Sequence, residues 1–282
     1  MRTTNEMLDL IVRTAQSDER IRAVLMSGSR ADLHCPKDVY QDFDIIYFVN
    51  DVKPFWDNMM WIESCFGTPI LCQKPESMRQ VSPDSGGNYI YLMIFEDGNR
   101  IDLTISNKEY EDNGEPAIVL LDKDHVLPDI QIDPSYWNVK KPTEVLYQNC
   151  ANEFYWCLNN VAKGLERNEM PYVMEMMNHY VRDMLVRMIS WHIGSKFDFN
   201  ISVGKNGKYF VRFLEQDLYE RYLDTYCSAE KEEVWNTAYK MIELFRDVAK
   251  PLGERLGYSY IESEETGILL YMNMVKNGLL EA

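Results

Sequence analysis

The sequence predicts an α+β protein in two parts, a mixed β-sheet with helices in residues 1–141 and an α-helical domain in residues 142–282. Three observations predict this fold class. Short apolar runs of strand length, separated by Gly- and Pro-containing connections, fill the first half. From Pro142-Thr143 onward, apolar residues recur every three or four positions instead. The length of 282 residues suits one large domain or two modest ones.

The first half begins with a helix and continues with strands. Thr3 and Glu6 have the spacing of a capping box, which predicts a helix that ends near Ser17. Asp97-Gly98 is a strong hairpin signal between two apolar runs. Strands are predicted over residues 21–26, 43–49, 89–95 and 100–105.

The second half has a mainly helical period. Its longest run, from Thr143 to Leu165, places apolar side chains three or four residues apart. Asn206-Gly207 predicts a turn, and with it a short hairpin over residues 202–211. Further helices are predicted over residues 172–193, 214–226, 229–250 and 264–277.

Charge and cysteine usage limit the function classes. With 29 Lys and Arg against 45 Asp and Glu, the net charge of −16 repels phosphate backbones and anionic lipids and favours cationic partners. No apolar run approaches the ~18 residues needed to span a bilayer, and the amino terminus has no signal-peptide core. The six cysteines show no Cys-x-x-Cys pair, which is typical of free thiols in a reducing cytosol. We expect a cytoplasmic protein, a monomer, with neither nucleic acid nor membrane as a partner.

One ordered set of residues carries the predicted chemistry. Gly28-Ser29 follows the first strand, and after twelve residues comes Asp42-Phe43-Asp44-Ile45. Strand alternation places Asp42 and Asp44 on one face and the two apolar residues in the core. Asp102 alternates with apolar neighbours in the same way, so three carboxylates converge if its strand lies beside that of Asp44. Because such carboxylates repel each other, their arrangement suits a divalent cation between them.

The whole set indicates metal-assisted nucleotidyl transfer. A Gly-containing turn lets backbone N–H groups approach a phosphate, Ser27 and Ser29 add hydroxyl donors, and Arg30 neutralises phosphate charge. With Mg²⁺ between the nucleotide phosphates and the carboxylates, an acceptor oxygen attacks the α-phosphorus in line and pyrophosphate leaves. Asp102 is predicted to be the general base with metal contact. Asp102 could instead pair with Arg100 or a lysine, and Arg30 could form a surface ion pair.

These residues resemble a known superfamily and, within it, one family. Gly-Ser, a short gap, Asp-x-Asp and a later Asp are similar to the nucleotidyltransferase signature. The segments that look like the aminoglycoside (streptomycin) 6-adenylyltransferases are 27–31, 42–49, 100–104, 152–156, 161–165, 178–180 and 202–205. The resemblance covers nearly the whole chain.

The resemblance implies a fold and a reaction. The fold is a polymerase-β-like nucleotidyltransferase sheet with helices, followed by an α-helical domain. The reaction is transfer of AMP from ATP, with Mg²⁺, to a hydroxyl of a cationic aminoglycoside, foremost the 6-hydroxyl of streptomycin. The acidic net charge of the chain fits such a polycationic acceptor.

Side chains of the second half are expected to complete the substrate site. Five of them are expected to face the acceptor: Asn149, Glu153, Trp156, His179 and Asp183. Glu153, at the edge of an apolar stripe, meets a substrate cation or else pairs with an arginine in a helix contact. Asp183, on the same helix face as His179, binds a cation or else forms an exposed pair with that histidine. Lys205 reaches the triphosphate or else is simply solvated.

Two other functions remain open. One keeps the chemistry and transfers the nucleotide to another small molecule or to a protein side chain. The other is a non-catalytic, antitoxin-like relative, whose typical Gly-Ser-x-Ala-Arg-Gly run is absent because Ala31 follows Arg30 directly and Asp32 comes next. The segment His34-Cys35-Pro36-Lys37 in the gap before Asp42 has no assigned role.

Overall fold

In the computed structural model, which describes residues 1–32, 34–77 and 87–280, the chain divides into two units. They are Met1–Tyr136 and Trp137–Ala282, so the division lies a few residues before the expected boundary at residue 141. Val139 belongs with the second unit because its amide donates to the Ile201 carbonyl at 2.8 Å. Each unit has its own buried apolar core.

The described residues of the first unit form three α-helices, a 3₁₀ turn (Lys53–Phe55) and a six-stranded mixed sheet. The α-helices are α1 (Thr4–Ser17), α2 (Gly28–Ala31) and α3 (Met59–Phe66). The strands are β1 (Ile21–Ser27), β2 (Phe43–Val49), β3 (Pro69–Gln73), β4 (Asn88–Phe95), β5 (Arg100–Ser106) and β6 (Ile118–Asp122). Their order is β3-β4-β5-β2-β1-β6, and every neighbouring pair is antiparallel except β2 and β5.

The predicted α+β class is confirmed, with the predicted first helix and four strands all present. The sequence predictions miss β3, β6 and α3, and they give α2 only as a Gly-containing turn. β3 and β6 are five-residue strands at the two edges of the sheet. Ile70 and Leu71 on β3 are both 63% exposed, so these edges lack the apolar alternation that reveals a half-buried strand.

Alternation along β2 determines which face of the sheet carries the main core. Phe43, Ile45 and Tyr47 are buried, whereas Asp44 between them is only half-buried. The Tyr47 hydroxyl donates to the Ile11 carbonyl of α1 at 2.6 Å, which ties that helix to the same face. The Asp44 side chain therefore lies on the face opposite the main core.

In the described residues of the second unit, all regular secondary structure is helical. Its α-helices are α4 (Glu144–Glu166), α5 (Met170–Glu175), α6 (Arg182–Lys196), α7 (Phe210–Phe213), α8 (Gln216–Leu223), α9 (Lys231–Leu256) and α10 (Glu262–Lys276). A π-helical segment, Met176–Val181, joins α5 to α6, and Lys205–Gly207 is a 3₁₀ turn. In the core, the rings of Phe154 and Phe245 stack with centroids 4.0 Å apart.

The predicted hairpin over residues 202–211 is wrong. Asn206 and Gly207 have positive φ angles of 54° and 75°, as a tight turn requires. The chain then enters α7 instead of a second strand. Phe210 is 1% exposed and packs edge-on to Tyr222 with ring centroids 5.5 Å apart, so the helical path buries a ring that a surface hairpin would expose.

Two further expectations concern cysteines and membranes. All six cysteines are thiols that are not joined in disulfide bonds, as predicted. Among the helices of the described ranges, none combines the length and the apolar character needed to cross a membrane.

Candidate active site

Three adjacent strands bring the candidate residues into one row. In the antiparallel pairing of β1 with β2, Ser27 lies opposite Asp44. In the parallel pairing of β2 with β5, Asp44 lies beside Asp102. Asp42 immediately precedes β2. Because register partners point to the same face, the Asp44 and Asp102 carboxylates are neighbours, which is the strand arrangement that the sequence analysis required.

Gly28 leaves β1 directly against Asp44. Its φ of +68° lies in the left-handed region that favours glycine. A β-carbon at this position would lie 2.1 Å from Asp44 Oδ2 and 2.8 Å from the carboxyl carbon. The absence of a side chain at residue 28 therefore makes room for the carboxylate as well as for the backbone turn.

Burial and neighbouring negative charge disfavour ionisation of two of the carboxylates. Burial, together with the negative charges of Asp102 and Asp42, raises the pKa of Asp44 to about 6. The pKa of Asp42 is also raised, first by burial. Glu115, which the sequence analysis did not single out, adds to the effect on the Asp44 pKa. A cluster whose charges oppose each other in this way would be stabilised by a cation.

Arg100 supplies a positive charge at the cluster. Its Nε and Nη2 donate to Oδ1 and Oδ2 of Asp102 at 2.8 and 2.7 Å. Its Nη1 lies 3.3 Å from Oδ2 of Asp42. The structure thus shows the alternative in which Asp102 pairs with Arg100. The sequence signal for this pair is strand alternation, which places residues 100 and 102 on the same face.

The donor set fits a hard divalent cation, because all three side chains offer carboxylate oxygens. In the described part of the chain, however, no group of three or more His, Cys, Asp or Glu is arranged to hold a metal ion. The assignment of Asp42, Asp44 and Asp102 as metal ligands therefore remains a prediction.

Arg30 is engaged with the backbone that leads into β2. Its Nε donates to the Asp42 carbonyl at 2.9 Å and its Nη2 to the Gln41 carbonyl at 2.7 Å. Its guanidinium also lies 3.8 Å from the centre of the Phe43 ring. Arg30 is therefore placed to position Asp42, and contact with a phosphate remains a prediction for its other N–H groups.

The predicted phosphate turn is tied to the segment that follows it. Gln41 Nε2 donates to the carbonyl of Ser29 at 3.0 Å and lies 3.3 Å from its hydroxyl. Lys37 Nζ donates to the carbonyls of Arg30 and Asp32 at 2.9 and 3.3 Å. Lys37 thus gives the segment 34–37 a structural role, because it binds backbone carbonyls at the C-terminal end of α2.

On α4, the predicted acceptor-facing residues lie in solvent. Asn149, Glu153 and Trp156 are all exposed, with Trp156 at 67%. The Cys157 thiol donates to Glu153 Oε1 at 3.3 Å. Burial and this hydrogen bond raise the pKa of Cys157 to about 12. Among the described residues, Glu153 forms no ion pair with an arginine, and apart from the Cys157 hydrogen bond its exposed carboxylate faces solvent.

Trp156 also lines a groove of about 380 Å³ between α4 and α10. Asn152, Tyr271 and Glu264 contribute to the same groove. Asn152 Nδ2 donates to Glu264 Oε1 at 2.7 Å, while the other carboxylate oxygen is buried with no hydrogen-bond partner among the described residues. Aromatic walls and a carboxylate are groups that bind cationic ligands well.

The remaining predicted residues are exposed. His179 lies in the π-helical segment and pairs with Glu175 at 3.6 Å rather than with Asp183. A π turn adds a residue per turn, so the four-residue spacing on which that predicted pair depended is shifted. Asp183 is exposed on α6, and Lys205 is exposed in its 3₁₀ turn.

This chain is similar to a protein family, to individual relatives and to a solved structure. The family model for streptomycin adenylyltransferase matches residues 1–275. An aminoglycoside 6-adenylyltransferase of Bacillus subtilis (strain 168) is 40% identical over 279 residues, which cover 96% of this chain and 97% of the relative. One from Campylobacter jejuni is 37% identical, covering 92% and 91%. The crystal structure of an aminoglycoside 6-adenyltransferase from Bacillus subtilis matches 98% of this chain and 99% of its own, with 36% identity and a TM-score of 0.50.

Proposed function

The chain belongs to the streptomycin adenylyltransferase family, and from this premise we propose that it transfers AMP from ATP to the 6-hydroxyl of streptomycin, with Mg²⁺, releasing pyrophosphate. It is an aminoglycoside nucleotidyltransferase, since its relatives from three bacteria are named aminoglycoside 6-adenylyltransferases. The observation that carries the proposal is the row of Ser27, Asp44 and Asp102 across β1, β2 and β5, with Gly28 against Asp44. The proposed phosphate turn and two of the proposed metal-binding carboxylates are therefore adjacent in that row.

Each residue of the row has a proposed role. Asp42 and Asp44 hold Mg²⁺, which when bound supplies Lewis-acid stabilisation of charge on the transferred phosphoryl group. Asp102 accepts the proton of the acceptor hydroxyl and contacts the metal. The N–H groups and hydroxyls of Ser27, Gly28 and Ser29 bind the triphosphate, with Arg30 and Lys205 as further contacts.

The acceptor is proposed to be a polycation. The net charge of −16 attracts such a ligand from a distance. Glu153, Trp156 and Asp183 offer exposed carboxylate and aromatic groups to its guanidinium or ammonium groups, and Asn149 and His179 offer hydrogen bonds. The AMP adduct would inactivate the drug, since it adds bulk and negative charge to a molecule that binds polyanionic RNA. We expect the enzyme to act in the cytoplasm as a monomer.

The proposal is tested by incubating the protein with ATP, Mg²⁺ and a panel of aminoglycosides that includes streptomycin. Pyrophosphate release is followed, and mass spectrometry detects an AMP adduct on each drug. An adduct on streptomycin alone is expected, and fragmentation of the adduct should place the AMP on the 6-hydroxyl. An adduct on another aminoglycoside but not on streptomycin would refute the proposed acceptor, and no adduct on any drug would refute aminoglycoside transfer.

A further inference from the structure

The guanidinium of Arg100 occupies the side of the cluster that a cation would use. It donates to both carboxylate oxygens of Asp102, at 2.8 and 2.7 Å, and approaches Asp42 to 3.3 Å. Two of the three proposed metal ligands are therefore bound to the same side chain. This fork matches the planar geometry in which arginine and carboxylate pair most strongly.

The fork and a divalent cation oppose each other. A guanidinium bound to Asp102 uses lone pairs of both its oxygens, and its positive charge repels a second cation at the same carboxylates. The described ranges contain no group of three metal-binding side chains already arranged around a cation position. For Asp42 and Asp102 to turn toward a cation, Arg100 has to leave them.

Arg100 is able to leave. Its side chain is 41% exposed, compared with 19% for Asp102 and 34% for Asp42. Its ion pairs in the described chain are those with the two carboxylates, so no other element holds it in place. A polyphosphate that arrives beside the row would offer the guanidinium a second anionic partner of suitable geometry.

We propose that Arg100 is a positioning residue that competes with the divalent cation for Asp42 and Asp102. When the nucleotide binds, the Arg100 guanidinium moves from these carboxylates to the phosphates. This inference rests on the proposed function, because it takes ATP and a divalent cation as the ligands of the row. It goes beyond that function by coupling the two ligands. The cation alone binds weakly because Arg100 opposes it, and the nucleotide removes that opposition.

The test compares Arg100→Gln with the unaltered protein in two binding measurements that need no turnover. The first measures the affinity for Mn²⁺ alone, from the electron paramagnetic resonance signal of free Mn²⁺. The second measures the affinity for a non-hydrolysable ATP analogue in the presence of a chelator, by calorimetry. We expect Mn²⁺ to bind about tenfold tighter to the variant and the metal-free analogue to bind about tenfold weaker, the factor that one charge-assisted hydrogen bond contributes.

The opposite changes expected in the two affinities distinguish this role from a structural one. If Arg100 only maintained the local fold, its loss would weaken the binding of both ligands, and that result would overturn the inference. Unchanged Mn²⁺ affinity would also overturn it. Arg100→Lys, which keeps the charge and loses the fork, should fall between the two proteins for both ligands.

Two further variants complete the design. Arg22→Gln removes a similar fork, made with Asp124 at the surface of the same unit, and should change neither affinity. Asp44→Asn should abolish Mn²⁺ binding. If it does so while Arg100→Gln fails to tighten Mn²⁺, the inference fails and the proposed metal site stands. If Asp44→Asn leaves Mn²⁺ binding intact, the proposed metal site fails and the inference with it.

Discussion

A β-carbon on Gly28 would lie 2.1 Å from the Oδ2 atom of Asp44, well inside van der Waals contact. The two residues come from separate parts of the signature, one ending β1 and the other within β2, and the antiparallel register makes them neighbours. Gly28 thus meets two requirements at once, a φ of +68° and a face with no side chain. The Gly-Ser and Asp-x-Asp elements form a single structural unit in this chain.

Gly28→Ala should therefore harm activity more than stability. The new methyl group must displace the Asp44 carboxylate, so we expect adenylyl transfer to fall by roughly a hundredfold, as for a misplaced catalytic group. The positive φ should cost about 1 kcal/mol of unfolding free energy. Gly67→Ala is the matched control, since Gly67 has a φ of +91° and nothing within 4 Å of its β-carbon position. It should carry the stability cost and retain activity, and equal loss of activity in both variants would contradict this account.

Asp42→Asn and Asp44→Asn should each abolish turnover and leave the fold intact, because both are proposed metal ligands and lie outside the buried core. Pyrophosphate release measures turnover, and circular dichroism measures the fold. Asp102→Asn should also inactivate the enzyme if this residue is the base. Asp9→Asn, an exposed carboxylate of α1, should have no effect. Full activity in the Asp44 variant would remove the metal-site assignment, and full activity in the Asp102 variant would remove both of its roles.

The row of carboxylates was predictable because it depends only on strand alternation and one parallel neighbour, as Asp44 and Asp102 show. The partner of the Asp102 carboxylate was not predictable. Strand alternation allows either Arg100 or a cation as the partner, and only side-chain geometry decides between them. The partner of His179 was missed for a different reason. The π-helical segment Met176–Val181 shifts the helix register by one residue, and apolar periodicity does not show such a shift.

Arg30→Gln should destabilise the first unit as well as slow the reaction. It removes the hydrogen bonds to the carbonyls of Gln41 and Asp42, which should lower the free energy of unfolding by about 1–2 kcal/mol. Urea unfolding measures this change, and KM for ATP measures phosphate contact. The matched control is Arg13→Gln on the exposed face of α1, where the guanidinium donates to the Asp9 carbonyl at 3.1 Å. A raised KM with unchanged stability would show that Arg30 acts on the phosphate alone.

Glu153→Gln should weaken binding of the acceptor without affecting binding of the nucleotide. Glutamine still accepts a hydrogen bond from the Cys157 thiol, so the helix should be unchanged, but the negative charge is lost. We expect KM for streptomycin to rise about fivefold to tenfold, the effect of removing one charge-assisted hydrogen bond, with KM for ATP constant. Glu166→Gln, at the other end of α4 and paired with Lys231, is the control and should change neither constant. An unchanged KM for streptomycin would take Glu153 out of the acceptor site.

His192 should make the helical unit sensitive to acid. Its ring is 5% exposed, Nδ1 lies 3.1 Å from the Val248 carbonyl, and Nε2 is buried with no partner among the described residues. Burial, aided by the positive charge of Lys196, lowers the pKa of His192 from 6.5 to about 4. The unfolded chain therefore binds a proton in this pH range that the folded chain does not bind, so stability falls as the pH drops from about 6.5 to about 4 and is unaffected above that range.

The expected loss of stability from this one ring is about 3 kcal/mol across the range, from the linkage between pKa and stability. His192→Asn places an amide donor near the position of Nδ1 and cannot titrate. This variant should lower the free energy of unfolding at neutral pH, because the smaller side chain leaves a cavity. It should also reduce the fall in that free energy between pH 6.5 and pH 4. Urea unfolding by circular dichroism at several pH values measures both effects. His179→Asn, an exposed histidine of the same unit, should keep the slope of the unaltered protein. An unchanged slope in the His192 variant would mean that other groups set the acid sensitivity.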